Sequence, residues 1–298
     1  MSGVVAGQRR RGLASLTPWL FMAPALAVLG VFFFGSFVEV IRYSLTTYSA
    51  FGPPEFVGLD NYARLLHDDR FWTCLGNSFI YLLVTPVLVL ISLLCATIID
   101  AGVRGKNALR LLFFLPVVTP TIVAAVAWRI LLHEENGLIN AALASLPGLE
   151  PINWLTERPF SLISSMLVTL WKGFGFYMMI FLAALLAVPR ELKEAMALDG
   201  GGRWLTFRHI VLPAIWPVMT LVVIISSISA LKAFDELFVT IGGAPIEHKT
   251  IVPLVYQTAF EESAFGAASA VGVLAFVVIL AFSMVNLWVT SRAGGGRA

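Results

Sequence analysis

Charged residues are scarce in this sequence of 298 residues. Asp, Glu, Lys and Arg make up 13% of it, whereas hydrophobic residues make up 58%, and the mean hydropathy is +0.86. An ordinary soluble domain carries about 25% charged residues, so the composition excludes that class and predicts a polytopic membrane protein. The net charge of +2 is spread over the loops and gives no indication of nucleic-acid binding.

Residue groups that perform catalysis or bind metals are also missing. The four His residues form no metal-ligand spacing, and no Ser-His-Asp or paired-carboxylate arrangement stands out. No G-x-x-x-x-G-K-[ST] motif occurs, so this chain has no loop of its own for ATP phosphates. Cys74 and Cys95 are expected near opposite ends of one apolar segment, too far apart for a disulfide. We therefore expect no catalytic residue, no metal and no cofactor in this chain.

Long apolar segments are what the sequence has in abundance. A helix needs about 20 apolar residues to cross the hydrocarbon core of a bilayer. Six segments meet this requirement: 19–41, 75–99, 109–132, 162–188, 211–231 and 267–288. The first is longer than the core of a signal peptide, so we interpret it as a retained anchor rather than a cleaved leader. The sequence predicts an all-α membrane protein with six transmembrane helices.

Four prolines lie inside these predicted spans: Pro86, Pro116, Pro120 and Pro217. A proline inside a helix removes a backbone hydrogen bond and favours a kink, and kinked helices can leave a cavity between them. Ordinary variety in packing is an equal alternative, because proline is common in membrane helices.

Lys and Arg are distributed unevenly between alternate loops. The amino-terminal segment, the second and fourth loops and the carboxy-terminal segment hold twelve of them, against four in the first, third and fifth loops. Because positively charged loops stay on the cytoplasmic side, both termini are expected to be cytoplasmic. We therefore divide the chain into a cytoplasmic tail at 1–17, a six-span transmembrane domain at 18–290 and a second cytoplasmic tail at 291–298.

The polar loop between the fourth and fifth predicted spans reads PRELKEAMALDGGGRWLTFRHIVLP, residues 189–213. Pro189 is suited to the first position of a helix, and the glycines from Gly200 onwards would end it. Four residues share one face of this helix: Leu192, Ala195, Met196 and Asp199. A second short helix over 203–210 is expected to lead into the fifth span. The small apolar face needs either a protein partner or lipid headgroups to cover it.

This loop resembles the cytoplasmic signature of permeases from binding-protein-dependent ABC importers, which reads E-A-A, three residues, G, nine residues, I-x-L-P. The matching residues are Glu194, Ala195, Gly200, Ile210, Leu212 and Pro213. Met196 stands where the family usually has a second alanine. In that family the loop inserts into a groove on a separate ATPase subunit. The resemblance therefore implies ATPase coupling through Leu192, Glu194, Ala195, Met196, Asp199, Gly200, Ile210, Leu212 and Pro213.

Two further segments are similar to the sugar branch of this family, which includes the maltose and glycerol-phosphate transporters. They are FVGLDNYARLL at 56–66 and FDELFVTIGGAP at 234–245. The resemblance implies a second permease subunit, a dimer of ATPase subunits that bind ATP and Mg, and an extracytoplasmic solute-binding protein. It also implies a small-molecule sugar as solute and a location in the bacterial inner membrane.

Lys172 lies near the middle of the fourth predicted span, where a charge is costly and usually functional. Its neighbours in WKGFGFY combine glycines with aromatic rings, which suits stacking on a sugar. An ion pair with Asp235 is the structural alternative. In the fifth span Ser226 and Ser229 share a face with Lys232, although helical serines often bond only to the preceding turn.

The resemblance to maltose-type permeases implies a sugar site between the spans. The predicted substrate pathway consists of Thr121, Lys172, Gly173, Phe176, Ser226, Ser229, Lys232 and Asp235. Ala230 and Ala233 replace amides and Val117 replaces an aromatic residue, so the hydrogen-bonding pattern does not carry over.

The main hypothesis is a permease for a carbohydrate, and three alternatives stay open. An anionic solute such as a glycerol phosphate would be attracted by Lys172 and Lys232. A secondary transporter or channel would need membrane-embedded acids, and Glu39, Asp100 and Asp235 lie only near span ends. A membrane-bound enzyme is disfavoured by the missing catalytic residues.

Overall fold

The computed structural model describes the backbone of residues 8–50 and 52–295 and the side chains of residues 18–50 and 52–290. Every regular element in this part of the chain is helical, and two isolated bridges, Thr46–Phe56 and Ser49–Gly52, are its β-type pairings. The all-α prediction is confirmed. The first seven and last three residues of the predicted tails lie outside the described residues.

The described chain forms helices separated by short turns. The α-helices are α1 Gln8–Val28, α2 Ser36–Ser44, α3 Asp60–Leu66, α4 Asp69–Tyr81, α5 Val84–Asp100, α6 Lys106–Val118, α7 Thr121–Leu131, α8 Leu138–Ala144, α9 Phe160–Ala187, α10 Arg190–Leu198, α11 Arg203–Thr206, α12 Leu212–Leu231, α13 Asp235–Thr240, α14 Ile251–Tyr256 and α15 Phe265–Gly295. Leu29–Gly35, Phe207–Val211 and Gln257–Glu261 are π-helical, and Ile246–His248 is a 3-10 turn.

The structure contains five to six candidate membrane spans. The five continuous segments with sufficient length and apolar character are Pro18–Ser44, Asp69–Asp100, Phe160–Ala187, Arg203–Leu231 and Phe265–Thr290. The sixth candidate is α6 together with α7, and their axes differ by 96°. The described helices therefore match the six apolar segments of the sequence if this bent pair counts as one span.

The bend between α6 and α7 lies inside the predicted span 109–132, at one of the prolines expected to kink it, and it divides that span into two helices. Thr119 and Pro120 both have extended backbone, with ψ values of 129° and 134°. The ring of a proline disfavours helical backbone in the preceding residue, so Pro120 forces Thr119 out of the helix. The Thr119 hydroxyl donates to the Leu115 carbonyl at 3.2 Å and so satisfies an acceptor at the end of α6.

By internal contacts the chain divides into two compact units, residues 1–65 with 258–273 and residues 66–257 with 274–298. In the first unit the amide of Asn61, which is 4% exposed, donates to the carbonyls of Ser44 and Thr46, each at 2.8 Å. Ser44 Oγ and Tyr62 OH lie 2.6 Å apart. The motif FVGLDNYARLL therefore fixes the turn that follows α2.

The second unit is built around the packing of α5 on α9, with α12 against both. The core between them is formed by Ala96, Ile99, Met178, Phe181, Leu185, Ile215 and Val222. Ser92 on α5 donates to the Phe174 carbonyl on α9 at 2.9 Å. A second core cluster, which includes Tyr81, Leu162, Leu237 and Ile241, joins α4 and α9 to α13.

A buried amide holds the segment after α13 against α4. Asn77 is 2% exposed, and its Nδ2 donates to the Glu247 carbonyl at 2.7 Å and the Lys249 carbonyl at 2.9 Å. Its Oδ1 accepts from Arg158 at 3.0 Å. Because two of these bonds go to the backbone of residues 247 and 249, Asn77 holds this segment against α4.

Helix α6 crosses α9 at Gly175 with almost no space to spare. A Cβ atom at Gly175 would lie 2.0 Å from the Phe113 carbonyl oxygen, so only glycine permits this approach. Gly173 on the same helix is less restricted, since a Cβ there would meet the end of the Leu88 side chain at 2.9 Å.

Gly175→Ala is therefore expected to lower the melting temperature of the detergent-solubilised protein. The new methyl group would collide with backbone, and overpacking of this kind costs about 1–3 kcal/mol. Gly173→Ala is the matched control, because a leucine side chain can move aside. Scanning fluorimetry of both variants measures the difference, and equal melting temperatures would contradict the close crossing of α6 and α9.

Candidate functional site

The loop between α9 and α12 contains a short helix with a well-defined end. Pro189 precedes α10 with extended backbone, so the helix begins at Arg190, one residue later than predicted. At the other end Gly200 has φ +79°, a left-handed conformation. The Gly201 N–H donates to the Met196 carbonyl at 2.8 Å and the Gly200 N–H donates to the Ala197 carbonyl at 3.2 Å. These two bonds form a Schellman motif, which explains why a glycine ends the helix there.

Helix α10 buries none of its residues. Leu192 is 50% exposed and Leu198 is 90% exposed, and Glu194, Ala195 and Asp199 are exposed as well. The unpartnered apolar surface predicted for this helix is therefore present. Leu198 was not among the predicted residues, although its position just before Asp199 and the glycines was a signal for exposure.

Met196 differs from the rest of the predicted patch. It is half-buried, and a Cβ at Gly201 would lie 2.5 Å from its sulfur. The long side chain of Met196 thus covers the glycine turn of its own loop. This contact accounts for a methionine at a position where the family signature has alanine, and it removes part of the apolar face from solvent.

The segment after the glycines is not the separate short helix predicted over 203–210. α11, the π-turn Phe207–Val211 and α12 form one continuous helical segment, Arg203–Leu231. Ile210 packs against the core cluster of α9, and Pro213 lies in the first turn of α12. The predicted coupling residues therefore fall into an exposed group on α10 and a group at the base of α12, namely Ile210, Leu212 and Pro213.

The predicted substrate residues lie on three helices of the second unit and on a break that follows one of them. Thr121 is the first residue of α7; Lys172, Gly173 and Phe176 are on α9; Ser226 and Ser229 are on α12; Lys232 and Asp235 flank the break between α12 and α13. α13 packs against α7 and α9, and α12 packs against α9. The fold thus brings these elements together.

The two serines of α12 that were predicted to face the substrate have different roles. Ser226 is 4% exposed and its hydroxyl donates to the Val222 carbonyl one turn earlier, at 2.7 Å. This is the bond that helical serines often make to their own helix. Ser229 is exposed and shares a hydrogen bond with Tyr177 on α9. Ser229 is therefore the serine whose hydroxyl remains accessible.

Lys172 is half-buried, and no ion pair joins it to an acid among the described side chains. The expected alternative partner, Asp235, is exposed. The acid that interacts electrostatically with Lys172 is instead its neighbour Glu236. Glu236 was missed because FDEL offers two adjacent acids, and sequence alone does not show which of them faces α9.

Burial raises the pKa of Glu236 above its ordinary value of 4.5. Asp235 raises this pKa further, whereas Lys172 lowers it. The predicted lysine and this missed acid therefore form an electrostatically coupled pair on α9 and α13, next to the break in the fifth span.

Aromatic rings are exposed beside these charges. Trp171 is 36% exposed and its ring lies edge-on to Trp128 of α7, with ring centroids 6.2 Å apart. Phe176 is 45% exposed. Exposed rings next to charged and hydroxyl groups are suited to a ligand that has both apolar faces and hydrogen-bonding groups.

Apolar helices of spanning length, with rings and charges placed along them, define a polytopic membrane transport protein. Residues 88–293 match the family described as the binding-protein-dependent transport system inner membrane component. The trehalose/maltose transport system permease protein of Thermococcus litoralis is 32% identical over 272 residues, which cover 90% of this chain and 92% of the relative.

A second relative is similar to a comparable extent, and a solved structure has the same fold. The alpha-glucoside transport system permease protein of Rhizobium meliloti is 31% identical over 302 residues, covering 99% of this chain and 88% of the relative. A chain of a bacterial ABC transporter that imports the acidic polysaccharide alginate has the same fold, with a TM-score of 0.80 at 21% identity, over 95% of this chain and 99% of that one.

The chain belongs to the family of binding-protein-dependent transport system inner membrane components. It is a multi-pass inner-membrane permease of an ABC importer and is not itself an enzyme, because ATP is handled by a partner ATPase. Membership of this family excludes the alternatives of a secondary transporter, a channel or a membrane-bound enzyme.

Glu236→Gln is expected to stabilise the protein at neutral pH. Because its folded-state pKa is raised, Glu236 costs no stability below about pH 4.5, and the loss grows as the pH rises through the folded-state pKa. Glutamine cannot ionise, so the melting temperatures of variant and wild type should coincide in acid and separate as the pH rises.

Thermal scans of solubilised protein between acidic and neutral pH measure this separation. Glu135→Gln is the control, because Glu135 is exposed and should give parallel curves. A constant offset between Glu236→Gln and wild type at every pH would contradict the assignment.

Proposed function

We propose that this permease forms, with a second and different permease chain, the membrane pathway for a carbohydrate. The observation that carries the proposal is the chemistry of its relatives. At 31–32% identity, they are permeases of transport systems for trehalose and maltose, for alpha-glucosides and for diacetylchitobiose. In this proposal residues 18–290 form six spans, residues 1–17 and 291–298 are cytoplasmic tails, and the α6–α7 pair is the third span.

Helix α10 is the ATPase-docking element of this proposal. None of its residues is buried, Leu192 and Ala195 on its apolar face are exposed, and its end is fixed by a Schellman motif. A short rigid helix with an uncovered face is a shape that a groove on another protein can hold. The excess of Lys and Arg in this loop supports a cytoplasmic location, where ATPase subunits are found.

The remaining partners are a dimer of ATPase subunits, which bind ATP and Mg, and an extracytoplasmic solute-binding protein. The solved structure of an alginate transporter with a pentasaccharide-bound periplasmic protein supports the solute-binding protein in this set. Closure of the ATPase dimer on ATP would displace α10, and the packed block of α5, α9 and α12 would follow it. The spans would then alternate between inward-open and outward-open states, which couples two distant sites.

The charges near Lys172 favour a neutral carbohydrate over an anionic solute. The two lysines of the proposed pathway, Lys172 and Lys232, are accompanied by two acids, Glu236 and Asp235, so the pathway carries no excess of positive charge that an anion site would need. A lysine next to an acid and exposed rings can instead donate to and accept from the hydroxyls of a sugar while its ring faces stack. Thr121, Gly173, Phe176, Ser229 and Lys232 complete this proposed pathway.

Gly200→Val is expected to weaken docking of the ATPase subunits while membrane insertion stays normal. A β-branched residue is strongly disfavoured at φ +79°, so the Schellman motif would open and α10 would lose its end. The cost of about 1–2 kcal/mol corresponds to a loss of about tenfold in docking affinity.

Gly200→Asn is the matched control, because asparagine tolerates left-handed backbone. Co-purification of ATPase subunits with the tagged permease, normalised to its abundance in the membrane, measures docking. Equal recovery with valine and asparagine would show that α10 is not the docking element.

Lys172→Met is expected to lower carbohydrate uptake by at least about tenfold, since a hydrogen bond to a charged group contributes about 1.5–3 kcal/mol. Lys106→Met is the control, because it makes the same substitution at an exposed lysine outside the proposed pathway. The loss is measured as uptake of radiolabelled maltose, trehalose and glycerol 3-phosphate into cells that contain the complete transporter. Uptake of glycerol 3-phosphate alone would instead support the anionic solute.

A further inference from the structure

One ion pair connects α10 to the transmembrane helices. Lys193 Nζ lies 3.3 Å from Asp100 Oδ2, the carboxylate of the last residue of α5. Only 28% of the lysine side chain and 23% of the aspartate side chain are exposed. In the described part of the chain, no other side-chain hydrogen bond or ion pair joins α10 to another helix. The residues in contact are separated by 93 positions in the sequence.

Asp100 is continuous with the core of the second unit. The preceding residue, Ile99, is 1% exposed and packs in the cluster that contains Leu185, Val188 and Ile215. A displacement of Asp100 therefore moves the end of α5 together with the end of α9. A link to Asp100 is a link to the most tightly packed part of the molecule.

The other connections of α10 are made of backbone alone. On one side Val188 and Pro189 have extended backbone, and on the other side the chain passes through Gly200, Gly201 and Gly202. Gly200 and Gly201 are bonded to α10 by the Schellman motif, so a change of angle between α10 and the following helix would fall at Gly202, because glycine has the least restricted backbone of all residues. The backbone keeps α10 attached but does not by itself fix its angle to α5.

Two further charged residues lie beside the pair. Asp100 and Lys193 line a cleft of about 400 Å³ with Arg190 and Glu194, and no further ion pair forms there among the described residues. Because the pair is about three-quarters shielded from water, its attraction is screened less than that of a fully exposed pair.

We propose that Lys193 and Asp100 are positioning residues that hold α10 at a fixed angle to α5, so that displacement of α10 reaches the spans through this contact as well as through the backbone. The proposal rests on the proposed function of α10 as the ATPase-docking helix. Neither residue belongs to the signature that implies docking, so the two roles can be tested separately.

The test uses the complete transporter with spin labels at Ala197 on α10 and Ile98 on α5, both of which are exposed. Pulsed electron spin resonance measures the distance between the labels with and without ATP and Mg. In the wild type the distribution should be narrow and unchanged by nucleotide, because α10 and α5 move together.

Lys193→Glu and Asp100→Lys should each broaden the distribution and lower the population at the wild-type distance by about fivefold, the range of a partly exposed ion pair. The double variant, in which the charges are exchanged, should restore the narrow distribution. A purely structural effect of either residue would not be rescued by this exchange. Membrane abundance and co-purification of the ATPase subunits should be unchanged in all three.

Two results would overturn the proposal while leaving the docking role of α10 intact. One is a narrow distribution in both single variants, and the other is a broad distribution in the double variant. If ATPase subunits instead fail to crosslink to a cysteine introduced at Leu198 in an otherwise unaltered complex, the docking role itself is wrong, and with it the basis of this inference.

Discussion

Within a bilayer no water is available to the backbone, so every N–H and C=O group must find a partner inside the protein. This constraint makes each apolar segment helical, and it also dictates what happens where a helix breaks. At the end of α6 the Thr119 hydroxyl bonds to the Leu115 carbonyl, and at the end of α12 the Ala233 carbonyl accepts from the buried Thr250 hydroxyl at 3.5 Å. Side-chain hydroxyls replace the missing helical bonds, and the breaks can persist.

The two helix breaks, after α6 and after α12, also determine how the neighbouring helices pack. Pro120 turns the chain by 96° between α6 and α7, and α12 ends at Leu231, three residues before Phe234. α13 then packs against both α7 and α9. As a result Glu236, which follows the break after α12, is within electrostatic range of Lys172 in the middle of the continuous helix α9. Broken helices and embedded charges are in this sense one feature.

Sequence reasoning was successful where the signal was local. Spans follow from the length of apolar segments, and the end of α10 follows from Gly200, because a left-handed residue after a helix is a property of a few neighbouring residues. It failed where the outcome depends on distant contacts. The angle of the bend in the third span and the interaction of Lys172 with Glu236 rather than Asp235 depend on tertiary packing. The pair of Lys193 and Asp100 could not be found from spacing, since 93 residues separate them.

Transmission of force through this fold depends on the contrast between stiff and flexible parts. The interior of α5, α9 and α12 is close-packed, so a push at one end of this block is transferred along it with little loss. The chain after α10 passes through Gly202, and the unrestricted backbone of glycine would let the helix adjust to a partner but would also absorb its movement. A single ion pair to Asp100 restrains that flexibility without removing it, because its free energy is small compared with that of a packed helix interface. A helix that must both fit into a groove on an ATPase subunit and transmit its displacement to the spans needs a restraint of this intermediate strength.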